Sequence, residues 1–249
     1  MNATVAIPAR LRSTRLPSKL LLDVGGKTLL QRTHEVALAA ECGPVLVLTD
    51  SEEIAEETRS FGGEVVMTDP DLPSGTARIA SVAGDLSADV VVNLQGDAPL
   101  TDPKVVAAAA AAAEAAGSTA AVTMAVYRLS RPEDVADPNV VKVVRTHGGR
   151  VLYCSRAAIP HIRDELLGSL DGSLHWGHSG IYAYAREFLL TFSDVPVSPL
   201  EEAERLEQLR WLEAGIEVHS FEVIPQGPSV DTAADLQRVR ITFAEREQL

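Results

Sequence analysis

The chain has 249 residues, 46% of them hydrophobic, with 22 Lys and Arg against 35 Asp and Glu for a formal charge of −13. That length supports one large α/β domain whose core needs no staple, and the acidic balance argues against bulk nucleic-acid binding, which rewards widespread cations. Cys42 and Cys154 form no CxxC pair and suit a reducing cytoplasm, no leader pattern opens the chain, and no apolar run reaches membrane-spanning length.

Strand-like apolar runs at 4–8, 44–49, 64–67 and 89–94 alternate with helical patterns at 28–40, 51–60, 76–86 and 102–116. Such alternation predicts a parallel sheet with helices on both faces and ligands at the carboxyl ends of the strands. A strand at 119–127 follows, then irregular chain at 129–135 around Arg131 and Pro132. Residues 140–145 and 150–154, joined through Thr146, His147, Gly148 and Gly149, read as a hairpin. With the polar segment 161–175 and a strand at 179–184, this stretch reads as an insertion, a smaller subdomain over 129–195 for acceptor contact or dimerisation. Helices at 185–192 and 199–214, a strand at 217–224 and a helix at 232–246 complete the chain. Thr232 and Asp235 give the last helix a capping-box start, with Asp in place of the usual Glu.

The loop after the first strand, VAIPARLRSTRLPSK, carries Arg10, Arg12, Arg15 and Lys19 in an otherwise acidic chain. The cluster is either a solvated loop or a grip for a polyanion, and it is too short to wrap nucleic acid, so a nucleoside triphosphate fits the second reading. Two distant aspartates, Asp97 and Asp231, each follow an apolar strand pattern in a turn-rich loop. Each is placed either to stabilise its turn or to hold a divalent cation, and magnesium takes few protein carboxylates. Gly26, Lys27 and Thr28 match the tail of a phosphate-binding loop, but Leu21 stands where its first glycine belongs, so GGK reads as a turn into a helix. Ser74, Gly75, Thr76 and Arg78 open a helix, as an N-cap or as an anion and base contact. His175 and His178 are three apart with strand entry between them, and no zinc site is expected.

The chain carries the ordered blocks IPARLRSTRLPSK, MTDPDLPSGTAR, VVNLQGDAPL, DPNVVKVV, CSRAAIP, HSGIYAY, SPLEEAERLEQLRWLEAG and SVDTAADLQRVR over nearly its whole length. In the order and spacing of these blocks it resembles the CMP-Kdo synthetases, the 3-deoxy-manno-octulosonate cytidylyltransferases. The resemblance implies a Rossmann-like nucleotide-diphospho-sugar transferase fold of GT-A type, a mostly parallel mixed sheet flanked by helices, usually assembled as a homodimer. It also implies transfer of CMP from CTP to a small acidic acceptor with release of pyrophosphate, Mg2+ being the cofactor. Carried over, Lys19, Arg15 and Asp97 serve catalysis. Arg10, Arg15 and Lys19 grip the triphosphate, Ser74, Gly75, Arg78 and Gln95 contact the nucleotide, and Asp97 and Asp231 hold the metal. Arg156, His178, Tyr182, Tyr184, Glu207 and Gln208 match the acceptor pocket. Two departures stand out: the family usually has a carboxylate where this chain has Ala77 and Ala98. Both loops are expected to face the reaction centre, where the loss of negative charge favours a more anionic acceptor, so a small phosphonate stands beside the Kdo-type sugar acid. A CTP-binding relative without catalysis is the reading from a different class.

Overall fold

A computed structural model describes residues 2–11, 13, 15–163 and 174–246. Arg12, and residues 164–173 of the polar segment, lie outside the described residues. The strands are β1 (Ala3–Ala9), β2 (Val45–Thr49), β3 (Glu64–Met67), β4 (Val90–Asn93), β5 (Val122–Arg128), β6 (Lys142–Arg145), β7 (Val151–Ser155), β8 (Trp176–Ala185) and β9 (Val218–Glu222). The α-helices are α1 (Leu29–Ala39), α2 (Glu52–Ser60), α3 (Gly75–Ala80), α4 (Pro103–Ala116), α5 (Pro132–Ala136), α6 (Arg186–Leu190), α7 (Pro199–Glu204), α8 (Gln208–Glu213) and α9 (Ala233–Arg246).

The strands form one sheet in the order β3-β2-β1-β4-β8-β5-β9, with β6 and β7 attached through β8. β1, β2, β3 and β4 pair in parallel, as do β5 and β9, while β8 runs antiparallel between β4 and β5. Successive strand residues point to opposite faces, which sorts the core into two layers. Val5 and Ile7 of β1 pack with Leu29, Leu30, Val106 and Leu236 of α1, α4 and α9. Ala6 joins the other face with Ile79, Phe188, Leu209 and Trp211 of α3, α6 and α8.

Local chemistry explains the helix starts. Thr28 and Ser51 accept from the backbone N–H groups of Gln31 and Ile54, and Asp102 caps α4 ahead of Pro103. Thr232 and Asp235 form a reciprocal box, Asp235 N–H donating to the Thr232 hydroxyl and Thr232 N–H to the Asp235 carboxylate. The GGK segment is a turn: Gly25 and Gly26 both have positive φ (65° and 74°), and Lys27 pairs with Glu35.

Four expectations change. The helix expected at 76–86 stops at Ala80 and continues as a 3-10 turn over Ala83–Asp85, because Ser81 and Gly84 favour helix poorly and the Ser81 hydroxyl bonds the Arg78 carbonyl. The chain expected to be irregular at 129–135 holds the short helix α5, with Pro132 at its first turn. The single helix expected at 199–214 is two, broken at Arg205, whose backbone is left-handed (φ 54°, ψ 47°). Most consequentially, the strand expected at 179–184 in an added subdomain is β8, ten residues long and central to the sheet. The 140–154 hairpin continues that same sheet through β8.

Candidate active site

At the carboxyl ends of β1 and β4, next to the point where strand order reverses, three distant loops meet. The Lys19 ammonium donates to Asp97 Oδ2 at 2.5 Å, Asp231 Oδ1 at 2.9 Å and the Val230 carbonyl at 2.9 Å. Arg15 pairs with the same Asp231 oxygen at 3.0 Å, and Arg10 is exposed on the same loop. The loops are pinned by their backbones: Val230 N–H donates to the Asp97 carbonyl, and the Thr33 hydroxyl donates to the Gly96 carbonyl. Burial works against the Lys19 ammonium, but Asp97 and Asp231 outweigh it and hold its pKa above the ordinary lysine value. Burial pushes the Asp97 carboxyl up, against the pull of Lys19.

Two carboxylate oxygens thus converge on a point where a cation already sits. That donor set fits Mg2+, which takes few protein oxygens and completes its octahedron with phosphate and water. Among the described residues no group of three or more His, Cys, Asp or Glu side chains is placed to hold a metal.

A second wall comes from β4, β8, α3 and α8. Gln95 donates to Asn93, Asn93 to the Tyr184 hydroxyl, and that hydroxyl meets the Thr76 hydroxyl at 3.1 Å, which donates in turn to Glu207. Tyr182 donates to Gln208 at 3.2 Å, and Trp211 stands edge-on to both tyrosines. Burial raises the pKa of Tyr182, Tyr184 and Glu207, with the Ser74 and Thr76 hydroxyls partly relieving Glu207. His178 lies against Tyr182 with ring centroids 4.6 Å apart, and burial pushes its pKa down to about 4, so it is a neutral imidazole.

A cavity of about 1120 Å³ brings Arg15 and Asp231 together with Arg156, His178 and Ser179. Another, of about 690 Å³, lies at the opposite edge of the sheet, around the starts of β4 and β5. Not every expected contact opens onto the first cavity. Arg78 is 3% exposed and is tied to Thr68, Asp69 and Asp50, so it braces α3 against the loops after β2 and β3. Arg156 donates to the carbonyls of Pro138, Glu204 and Arg205, which makes it a clamp on the end of α7 as well as a cavity residue. Ser74 caps α3, and Gly75 lies so close to Pro8 that an added Cβ would sit 3.2 Å from that ring. With only six residues, α3 offers little dipole to an anion. Ala77 packs into the apolar layer, so the expectation that it faces the reaction centre fails, and Ala98 lies against the other layer.

Asn93 and Ser179 escaped the sequence reading. A lone amide ending the run VVVN was a usable signal for Asn93, since a buried polar group needs a partner. Ser179 gave none.

Residues 4–220 match the cytidylyltransferase family model. The chain belongs to the cytidylyltransferase family. A 3-deoxy-manno-octulosonate cytidylyltransferase of Solibacter usitatus is 43% identical over 238 residues, covering 95% of this chain and 92% of the relative. One from Chlorobaculum tepidum is 43% identical with 99% of each chain covered. The solved structure of a CMP:2-keto-3-deoxy-manno-octonic acid synthetase complexed with CTP superposes with a TM-score of 0.92 at 38% identity, over 99% of this chain and 100% of that one. A putative glucose-1-phosphate thymidylyltransferase from Bacillus anthracis, at 14% identity and a TM-score of 0.66, shares the fold alone. This cytidylyltransferase therefore has the mixed α/β nucleotidyltransferase fold expected from the sequence and is a nucleotidyltransferase enzyme.

Proposed function

We propose that this cytidylyltransferase transfers CMP from CTP to a 3-deoxy-manno-octulosonate-type sugar acid and releases pyrophosphate. The observation that carries the reading is the meeting of Lys19 and Arg15 with Asp97 and Asp231 from three loops at one sheet edge. The names of the curated relatives and of the CTP-bound structure support the donor and the acceptor.

In this reading the acceptor's anomeric oxygen forms a bond to the α-phosphorus, the bond from that phosphorus to the bridging oxygen of pyrophosphate breaks, and the hydroxyl proton leaves to solvent. The chain contributes position and charge. Asp97 and Asp231 would hold Mg2+, which supplies Lewis-acid polarisation of the α-phosphate. Lys19, released from the two carboxylates, joins Arg15 and Arg10 on the triphosphate, where fixed cations stabilise the charge passing to pyrophosphate. Ser74, Gly75 and Gln95 border the nucleotide. Arg156, His178 and Tyr182 border the acceptor, while Tyr184, Glu207 and Gln208 support them from within the packed wall.

Pyrophosphate release from CTP with Mg2+ tests the proposal, with 3-deoxy-manno-octulosonate and phosphonoformate as rival acceptors. Turnover with the sugar acid at a rate well above the phosphonate is expected. Release with the phosphonate alone, or with neither acceptor, overturns it.

A further inference from the structure

β8 departs from regular geometry where it borders the acceptor cavity. Its pairing with β5 shifts register between Met124 and Val126, and Gly180 takes φ 82° there, a backbone with open space where a Cβ would stand. Bulges re-aim side chains. Two consecutive residues beside this one, His178 and Ser179, line the cavity, and each carries a buried polar atom with no hydrogen-bond partner, His178 Nε2 and Ser179 Oγ. Leaving such atoms unpaired is costly, which marks them as groups awaiting a ligand or water.

Of the cavity's cations, Arg15 pairs with Asp231, Arg131 with Asp134 and Arg238 with Asp235, while Arg156 meets three carbonyls. The two orphaned atoms, by contrast, belong to neutral groups. Burial keeps the imidazole neutral, and its Nε2 accepts or donates according to the tautomer. An alcohol both donates and accepts and so satisfies either tautomer, whereas a carboxylate or an ionised phosphonate only accepts. The Ser179 hydroxyl donates and accepts, so it too is matched by an alcohol.

We infer that Ser179 is a specificity residue for the acceptor, its hydroxyl acting beside the His178 imidazole to bind an alcohol group of the sugar chain. The inference rests on the sugar-acid reading above and adds the residue that selects for hydroxylation. A site built around a hydroxyl discriminates strongly against an analogue lacking it, because its own polar groups are then left unpaired.

The test uses the full chain, CTP, 3-deoxy-manno-octulosonate and its singly deoxygenated analogues. The natural sequence should lose about 10- to 100-fold in kcat/KM with one of those analogues, the cost of leaving a buried polar group unpaired. Ser179→Ala should lose about as much with the parent acceptor, show no further loss with that one analogue, and leave the KM for CTP unchanged. Ser179→Thr should restore the preference, and Ser179→Cys, similar in size with a weaker donor, should fall between. Equal penalties on every acceptor, no penalty on the parent, or a shifted KM for CTP would overturn the inference. Failure of the natural sequence to turn over the sugar acid at all would instead overturn the functional reading on which it rests.

Discussion

Lys19 is the residue on which the site's charge balance turns. Its ammonium, 14% exposed at the side chain, separates two carboxylates that would otherwise repel one another. Lys19→Met removes that shield, and breaking a buried pair on one side costs about 3 kcal/mol. We expect the urea midpoint to fall accordingly and pyrophosphate release to drop at least about 100-fold; a variant with normal stability and turnover would contradict the assignment. Asp97→Asn is milder for the fold, because the amide still accepts from Lys19, yet it should lower turnover by orders of magnitude even at saturating Mg2+. His178 adds a pH dependence. Its folded pKa of about 4 lies below the ordinary 6.5, so between those values the unfolded chain binds more protons and stability rises with pH. As pH falls through that window, His178 withdraws up to about 3 kcal/mol. Urea midpoints at pH 4.5 and 7 should therefore differ less in His178→Gln than in the natural sequence.

Breaks within secondary structure, more than the regular stretches, build the acceptor side. The run from Pro199 to Ala214 has helical periodicity, yet Arg205 turns left-handed, and that kink sets Glu207 beside Thr76 and Gln208 beside Tyr182. A non-glycine residue in that conformation costs about 1 kcal/mol, so Arg205→Gly should raise the denaturation midpoint slightly. Arg205→Val should lower it, since a branched side chain crowds the same backbone. Equal midpoints for the two would show that the break is not strained. The sequence carries no glycine at this position to announce the turn, which is why periodicity alone read one helix. Gly180 is the counterpart in β8: its glycine was visible, but the register shift it permits depends on β5 lying alongside.

Across the molecule, the two carboxylates lie on loops after different strands, β4 and β9, and join a third loop after β1. Binding CTP with Mg2+ should draw these loops together. At ligand a hundredfold above Kd the folded state gains about 2.7 kcal/mol, roughly 5–10 °C in melting temperature for a chain of this size. Calorimetry should show that shift, with EDTA or Asp231→Ala removing most of it; an equal shift without metal would count against the magnesium site.

The βαβ alternation, helix starts at Thr28, Ser51 and Asp102, the capping box at Thr232, and the pairing of a basic loop with two acidic ones were all readable along the chain. Each depends on contacts a few residues apart or on the rule that parallel strands expose their ends together. The central place of β8, the burial of Arg78 and Ala77, and the orphaned pair His178 and Ser179 were not readable. Those follow from which strand lies next to which, and a half-polar run such as HSGIYAY looks the same at an edge as in the middle of a sheet until its neighbours are in place.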